Sequence, residues 1–542
     1  MYSDTRSTIR GMRIFIAFVS GLVLAYVGPE SGEAATLPTL PLTFIDTTYS
    51  PPAGITITVN AGGNLQTALN NAALGDTIVL QAGATFAGPF TLPNKTTGSG
   101  WIYIRSSAYA SLPPPGTRVS PSDAPNMPKI VGNANSTAIA TASNAHHYRF
   151  VGIEFTPPPG SFIFTLIQIG SNETLASALP NNITFDRCYI HGDPLVGGRR
   201  GVEMDGNSVA VVDSYIADFK DSTGDSQALW AYNAPGPYKI VNNYLSAAAE
   251  NVMFGGQAPS ISNAVPSDIE IRRNYFFKPL SLMGTSWVVK NLLEFKNAIR
   301  VLVEGNTFEN CWPQSQTGFF LLLTPRNEDG TAPWSAVQDI TIRLNRGINL
   351  GQGINILGTD NVFPSQRTAR VLIKDNVVNV TALGAADGRS FGLLSGPSDV
   401  TIDHNTVFTK GTMAFVENSP LAANFVFTNN IVDDGSNGFI GTGTQSGTPT
   451  LNGQFTSNYI FTKNAIIAVG PESYPLGNFF PLNYAAVGFV NFLAGDYHLS
   501  ASSAFKNAGL DGKDLGADID ALTASLGGTG SILPPPANLK VK

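Results

Sequence analysis

The sequence predicts an all-β parallel β-helix, a solenoid of short strands closed at its start by a short capping helix. Three observations predict it. An asparagine recurs in a repeated phrase at Asn243, Asn274, Asn306, Asn345, Asn376, Asn405, Asn430 and Asn458, at intervals of 31, 32, 39, 31, 29, 25 and 28 residues. The residues before it alternate apolar and polar, as in Ile269-Glu-Ile-Arg-Arg-Asn274 and Val400-Thr-Ile-Asp-His-Asn405, so one side of each strand faces a core. Helical periodicity is nearly absent through the array. A repeat of this length made of strands is a solenoid, in which each strand pairs with its counterpart one coil away. A β-propeller competes, but its blades need about 40 residues and four strands. Most intervals here are shorter, and their variation suits loops that lengthen on one side.

The elements follow in order. Arg6, Arg10 and Arg13, the apolar stretch Ile14 to Val27, and Gly32-Glu33-Ala34 read as a secretory signal over residues 1–34, with an uncleaved anchor as the alternative. The apolar stretch is short for a span of about 20 residues. After signal cleavage no stable membrane span remains, and the protein is expected to be secreted, periplasmic or at the cell surface. Residues 35–53 read as a linker. Asn64 to Leu74 places Leu65, Ala68, Leu69 and Ala72 on one helical face, with Asn64 as N-cap. Thr77 to Leu80 begins the first coil, and the β-helix with its end caps is expected to run over 54–525. In the first ladder positions Cys188 and Ser214 replace asparagine, and turn asparagines tolerate the left-handed conformation such turns need. Residues 485–525 break the pattern and are expected to close the far end. Residues 526–542 form a Pro-rich tail.

Composition narrows the function. Only 13% of residues are charged, with 55 Gly and 36 Pro, which suits a β chain rich in turns. The net charge of −7 and the lack of basic runs argue against a nucleic-acid partner. A monomer is expected. Cys188 and Cys311 lie about four coils apart, roughly 19 Å, so both are expected to be free thiols. Five histidines give no Ser/His/Asp set or zinc spacing. Asp511, Asp514, Asp518 and Asp520 lack the calcium-loop pattern and are expected to order a terminal turn.

Asn64-Leu-Gln-Thr-Ala-Leu, then Gly75-Asp-Thr-Ile-Val-Leu-Gln-Ala-Gly83, then repeated strands with stacked asparagines, resembles the pectate-lyase-like superfamily of right-handed parallel β-helix proteins. The resemblance covers roughly residues 54–520. It implies a polysaccharide-active fold without naming the reaction, since lyases, hydrolases, esterases and adhesins share it.

The strand before each ladder strand can be aligned coil by coil, with alternate residues facing out. Two outward columns result: Glu203, Trp230, Met253, Glu294, Thr324, Asn355, and beside it Asp205, Tyr232, Gly255, Lys296, Arg326, Leu357. This register sets Lys296 beside Arg326 at ~4.8 Å, with Glu294 on the same strand. β-Elimination from a uronate wants such a set. A base removes the proton beside the sugar carboxylate, and cations stabilise the developing charge. Arg326 would depress the Lys296 pKa to make it that base. Glu294, with Glu250 or Asn251, would hold Ca²⁺. Trp230, Tyr232, Asn355, Asp205 and Glu203 would contact the polysaccharide.

Asn291-Leu-Leu-Glu294-Phe-Lys296-Asn, followed by Val303-Glu-Gly-Asn306 and Phe319-Phe-Leu-Leu-Leu-Thr-Pro-Arg326, is similar to the arrangement in alginate lyases and chondroitinase B. That likeness implies Lys296 as base, Arg326 as acid or charge stabiliser and Glu294 as metal ligand. Asn327 departs from it, standing where those enzymes carry a histidine, and Pro325 interrupts the strand. Two other function classes stay open: a glycoside hydrolase using Glu203 and Asp205, and a non-catalytic surface protein binding glycan through Trp230 and Tyr232.

Overall fold

The computed structural model describes residues 35–527 apart from residue 51 and residues 134–135. The expected signal over 1–34 lies outside the described residues, as does the tail beyond residue 527. The described residues form a right-handed parallel β-helix of three sheets with 14, 12 and 13 strands, every neighbouring pair parallel and one coil apart. Each coil visits the 12-stranded, 14-stranded and 13-stranded sheets in turn, as in Arg200–Met204, Asn207–Val212 and Tyr215–Phe219. Alternation sends one set of side chains inward, where like stacks on like. Phe150 lies flat on Phe185 at 5.2 Å and Phe276 on Phe308 at 4.6 Å. Cys188 and Cys311 are free and buried in this core. No helix among the described residues is long and apolar enough to cross a membrane.

The capping helix spans Leu65–Asn71, and the Asn64 side chain accepts the Thr67 N–H at 2.9 Å. Leu65, Ala68 and Leu69 plug the first coil. At the other end the plug is the helix Thr448–Gln454, with Leu451, Phe455 and Tyr474 joining the core. Residues 485–525 were expected there but lie elsewhere. From Leu510 onward the chain returns along the turns: Leu510 N–H donates to Asn429 Oδ1, Ala517 N–H to Thr406 Oγ1 and Asp518 N–H to Asp375 Oδ1. Asp511, Asp514 and Asp518 accept backbone N–H groups there, as turn and cap residues do.

The turn side chains hydrogen-bond along the whole array. Cys188 N–H donates to Ser214 Oγ and Ser214 N–H to Asn243 Oδ1. From Asn243 each asparagine gives both its backbone N–H and its Nδ2–H to the Oδ1 of the next, through Asn274, Asn306, Asn345, Asn376, Asn405 and Asn430. The next member is Asn464 followed by Asn478, not the expected Asn458, which bonds Asn424 instead. The left-handed residue is also one place earlier than expected. Asn242, Arg273, Leu344, Asp375, His404, Asn429 and Lys463 all have φ of 51–60°, leaving each ladder asparagine free to aim its amide along the axis.

Residues 35–50, read as a linker, lie across the start of the 14-stranded sheet. Thr36 N–H donates to Asp399 Oδ1, Thr39 to Asp339 and Leu42 to Asp268. Farther on, Lys239 Nζ donates to Ile45 O, Arg149 to Thr48 O and Tyr103 Oη to Ser50 O. The three aspartates sit on alternate coils. Arg300 and Arg370 on the coils between them clasp Asp268 and Asp339 with paired guanidinium bonds of 2.8–2.9 Å.

One buried acid sets a pH dependence. Burial pushes the Asp433 carboxyl up from 3.8 to about 7, against the bonds it accepts from Tyr484 Oη at 2.7 Å and Thr409 N–H at 3.0 Å. Between about pH 4 and about pH 7 the folded state therefore holds a proton the unfolded chain has lost, so stability falls as pH rises through that window. Asp433→Asn keeps an acceptor without the charge. Denaturant unfolding across that window should show a shallower fall in the variant, with buried Glu250 supplying part of what remains, and an unchanged slope would assign it to other groups.

Candidate functional site

The outward face of the 12-stranded sheet carries the residues singled out by sequence. The observed register pairs Glu203 with Trp230, Trp230 with Met253 and Met253 with Glu294, as the column predicted. At the next coil it departs. Glu294 pairs with Leu322, and Leu322 with Asn355, so Thr324 is not in this column. The Phe319–Leu323 strand is a run of five apolar residues with no alternation to fix its phase. A two-residue slip keeps inside and outside unchanged, so the pattern could not reveal it.

Past this strand the chain comes back beside Lys296: Thr324 N–H donates to Phe295 O and Arg326 N–H to Lys296 O, both at 2.9 Å, so Arg326 is one coil from the lysine as expected. Its guanidinium turns away, with Nη1 held by Asp360 at 3.1 Å and Asn361 at 2.8 Å. The expected depression of the Lys296 pKa by Arg326 therefore fails. Burial opposes the lysine's charge, but Glu294, Glu250, Glu328 and Asp225 outweigh it and raise its pKa. Lys296 Nζ lies 3.7 Å from Glu294 and 3.6 Å from Glu328.

Behind this lysine two carboxylates face each other. Glu250 is fully buried, and burial followed by repulsion from Glu294 raises its pKa to about 8. Gln227 donates to its Oε2 at 2.9 Å, while its Oε1 has no hydrogen-bond partner and lies 3.9 Å from Lys290 Nζ. Asn291 donates to Glu294 Oε2 at 3.3 Å. Two carboxylates with an orphaned oxygen and flanking amides fit a hard cation such as Ca²⁺, although no group of three His, Cys, Asp or Glu among the described residues could hold a metal ion. Asn251 does not belong to this set. Its amide turns to the Leu245 and Phe277 carbonyls and takes a bond from buried Lys278.

Three coils toward the N-terminus lies a cleft of about 460 Å³, lined in part by Phe164, Thr165, Gln168, Arg200, Glu203, Trp230 and Tyr232. The two aromatics stack on each other at 4.5 Å, with Trp230 Nε1 donating to Gly255 O. They are only 2% and 3% exposed, so they form the cleft wall rather than an open platform. Gly255 has φ of +87°, and a Cβ there would meet Asn297 N at 2.7 Å, so this close packing admits only glycine. Glu203 is raised by burial, opposed by Arg200, Thr165 and Gln168. Asp205, expected to point outward beside it, is fully buried and accepts the N–H groups of Tyr232 and Asn233 at 2.7 and 2.8 Å. It holds a turn and cannot serve as a second carboxylate in the cleft. Asn355 lies two coils past Glu294, behind Leu322.

Sequence reasoning missed Arg200, Phe164 and Glu328. Arg200 and Gln227 open the strands that carry Glu203 and Trp230, so aligning the columns three residues upstream would have found the arginine. Glu328 lies in the loop after the strand, where no periodicity assigns a direction.

No protein-family model matches the chain, and no curated protein matches it in sequence. Solved structures do. An alginate lyase of polysaccharide lyase family 6, AlyGC, is 14% identical over 79% of this chain and 54% of its own, with a TM-score of 0.51. The chain thus spans about half the length of that enzyme. A mannuronic acid specific family 6 lyase from human gut microbiota is 14% identical over 78% and 91%, TM-score 0.49. An α-1,3-glucanase of Streptomyces thermodiastaticus is 12% identical over 79% and 71%, TM-score 0.47. At such identities the likeness shows the fold alone, the right-handed parallel β-helix.

Proposed function

We propose that the protein is a secreted lyase that cleaves an acidic, uronate-containing polysaccharide by β-elimination, with the polymer laid along the outward face of the 12-stranded sheet. The observation that carries the reading is the cluster of Lys296 with the buried Glu250–Glu294 pair, on the same face as the Arg200–Trp230 cleft. Lys296, kept a cation in the free protein by Glu294, Glu250, Glu328 and Asp225, would act as base on the proton beside the sugar carboxylate once substrate binding draws those carboxylates away from it. Glu294 and Glu328 hold its side chain, and Asn291 steadies Glu294. Glu250 and Glu294 would hold Ca²⁺, which would offset their charge and clamp a substrate carboxylate. Arg326, tied to Asp360, supports the rim of the face and is not assigned to the reacting atoms. The fold is one that an alginate lyase uses.

A hydrolase remains the second reading, because Glu203 is a carboxyl of raised pKa lining a cleft beside Trp230. Its weakness is the buried Asp205, which leaves Glu203 without the paired carboxylate a glycosidase needs. One screen decides. The purified protein is incubated with alginate, pectate and glycosaminoglycans, with and without chelator, while the ultraviolet absorbance of a new double bond is followed. A double bond that chelator abolishes is the expected result. New reducing ends without that absorbance would establish the hydrolase, and binding without turnover, lost in Trp230→Ala, a glycan-binding protein.

A further inference from the structure

We propose that Arg200 is a carboxylate receptor, binding the acid group of a uronate residue several sugar units away from Lys296 along the same polymer. It rests on the proposed function only in placing such a polymer on this face. The guanidinium of Arg200 lies 3.9 Å over the Trp230 ring and 5.1 Å from the Phe164 ring, between two aromatic faces that exclude water. Its Nε is buried without a hydrogen-bond partner, and no carboxylate of the described residues forms a salt bridge with it. The neighbouring Arg199 shows the contrast, since its Nε is paired with Asp221 at 2.8 Å. Arg149, Arg300 and Arg370 are likewise paired with acids, while Arg118 is held by the Asn242 and Arg273 carbonyls. Arg200 instead lines an open cleft, where Glu203 is its main charge neighbour but makes no ion pair with it among the described residues.

A half-buried guanidinium whose Nε–H lacks an acceptor is a poor arrangement for the free protein and a good one for a planar anion. The nearest carboxyl, Glu203, has its pKa raised by burial and so resists an incoming anion less than an ordinary glutamate would. Three coils separate the Arg200 strand from the strand before Lys296, about 14 Å at ~4.8 Å each. A contact so far from the reacting bond lends binding energy to long substrates alone.

The test uses full-length Lys296→Ala, so that turnover does not interfere. Calorimetry compares hexamers of galacturonate and mannuronate with the same hexamers after their carboxyl groups are reduced to alcohols. The expected result is at least about tenfold tighter binding of one of the acidic forms. Arg200→Gln should erase that difference while leaving the reduced form unaffected. Arg200→Lys keeps the charge and length but not the fork, and should recover only part of it. Near-ultraviolet dichroism of Trp230 shows whether each variant keeps its packing. Equal binding of acidic and reduced hexamers, or Arg200→Gln binding the acid as tightly as its parent, would overturn the assignment. The two readings fail separately. If no polymer yields a double bond the lyase falls while the hexamer comparison still decides Arg200. If Arg200→Gln cleaves polymer as well as the wild type does, keeping its full advantage over a trimer too short to reach the cleft, Arg200 falls and the lyase stands.

Discussion

Asn306→Ala is expected to cost about 3–5 kcal/mol of stability, one of the larger losses a single surface-turn residue can give. The Asn306 side chain donates to Ile271 O at 2.9 Å and to Asn345 Oδ1 at 3.0 Å, and accepts both the backbone and side-chain N–H of Asn274. All of this is buried. Truncation strands the Asn274 N–H and the Ile271 carbonyl with no room for water, so the cost is desolvation of several groups rather than one lost bond. Asn306→Asp makes the complementary test, because an ionised carboxylate accepts from Asn274 but cannot donate to Ile271 O or Asn345 Oδ1. It should be as damaging near neutral pH and less so in acid, where a protonated carboxyl regains a donor. Chemical denaturation measures both, and a loss below about 1 kcal/mol would mean that the column is not what holds the coils in step.

The second large effect is on turnover. Lys296→Ala is expected to lower the rate of double-bond formation by at least about 10²-fold, the usual scale for removing a positioned proton-transfer group. Structure alone could mimic such a loss, because removing the cation leaves Glu294 and Glu250 facing each other uncompensated, at a cost of a few kcal/mol. Lys296→Ala combined with Glu294→Gln relieves that repulsion. If the double variant regains stability but not activity, Lys296 takes part in the chemistry. If activity returns with stability, the lysine merely neutralises the acids and the elimination reading loses its centre.

Much of this molecule was legible from sequence because a solenoid repeats one decision many times. The inward alternation, the capping helix from Asn64 and four coils of the outward column from Glu203 to Glu294 follow from period-two patterning and one N-cap rule. The errors have a common origin. Asn458 was read as the eighth member because it follows a plausible turn, and only strand pairing shows that Asn464 stacks instead. Thr324 was put in the column with Glu294 because Phe319–Leu323 is uniformly apolar and carries no phase, and the turn of the Arg326 guanidinium toward Asp360 was not legible because that acid lies in a loop. Outward direction was legible for Trp230 and Tyr232, but their burial was not, and Asp205 lies just past its strand, where alternation no longer assigns a direction. Asn251 was read with Glu250 as a ligand, yet the bend at the strand start turns it toward Lys278.

The segment from Thr36 to Leu42 has a meaning beyond its hydrogen bonds. Three residues of extended chain, stiffened by Pro38 and Pro41, rise about 9–10 Å, which matches two coil spacings of ~4.8 Å. It therefore works as a vernier, and every third amide meets every second coil at Asp399, Asp339 and Asp268. A plain solenoid is a chain of nearest neighbours, free to fray from either end. A tie spanning many repeats couples coils that never touch, so distant parts of the array are expected to open together. Cleaving the chain between this segment and the first strand at Thr56 would turn an intramolecular tie into a dissociable peptide. Hydrogen exchange should then show the end coils loosening before the middle, where the intact chain exchanges as one block.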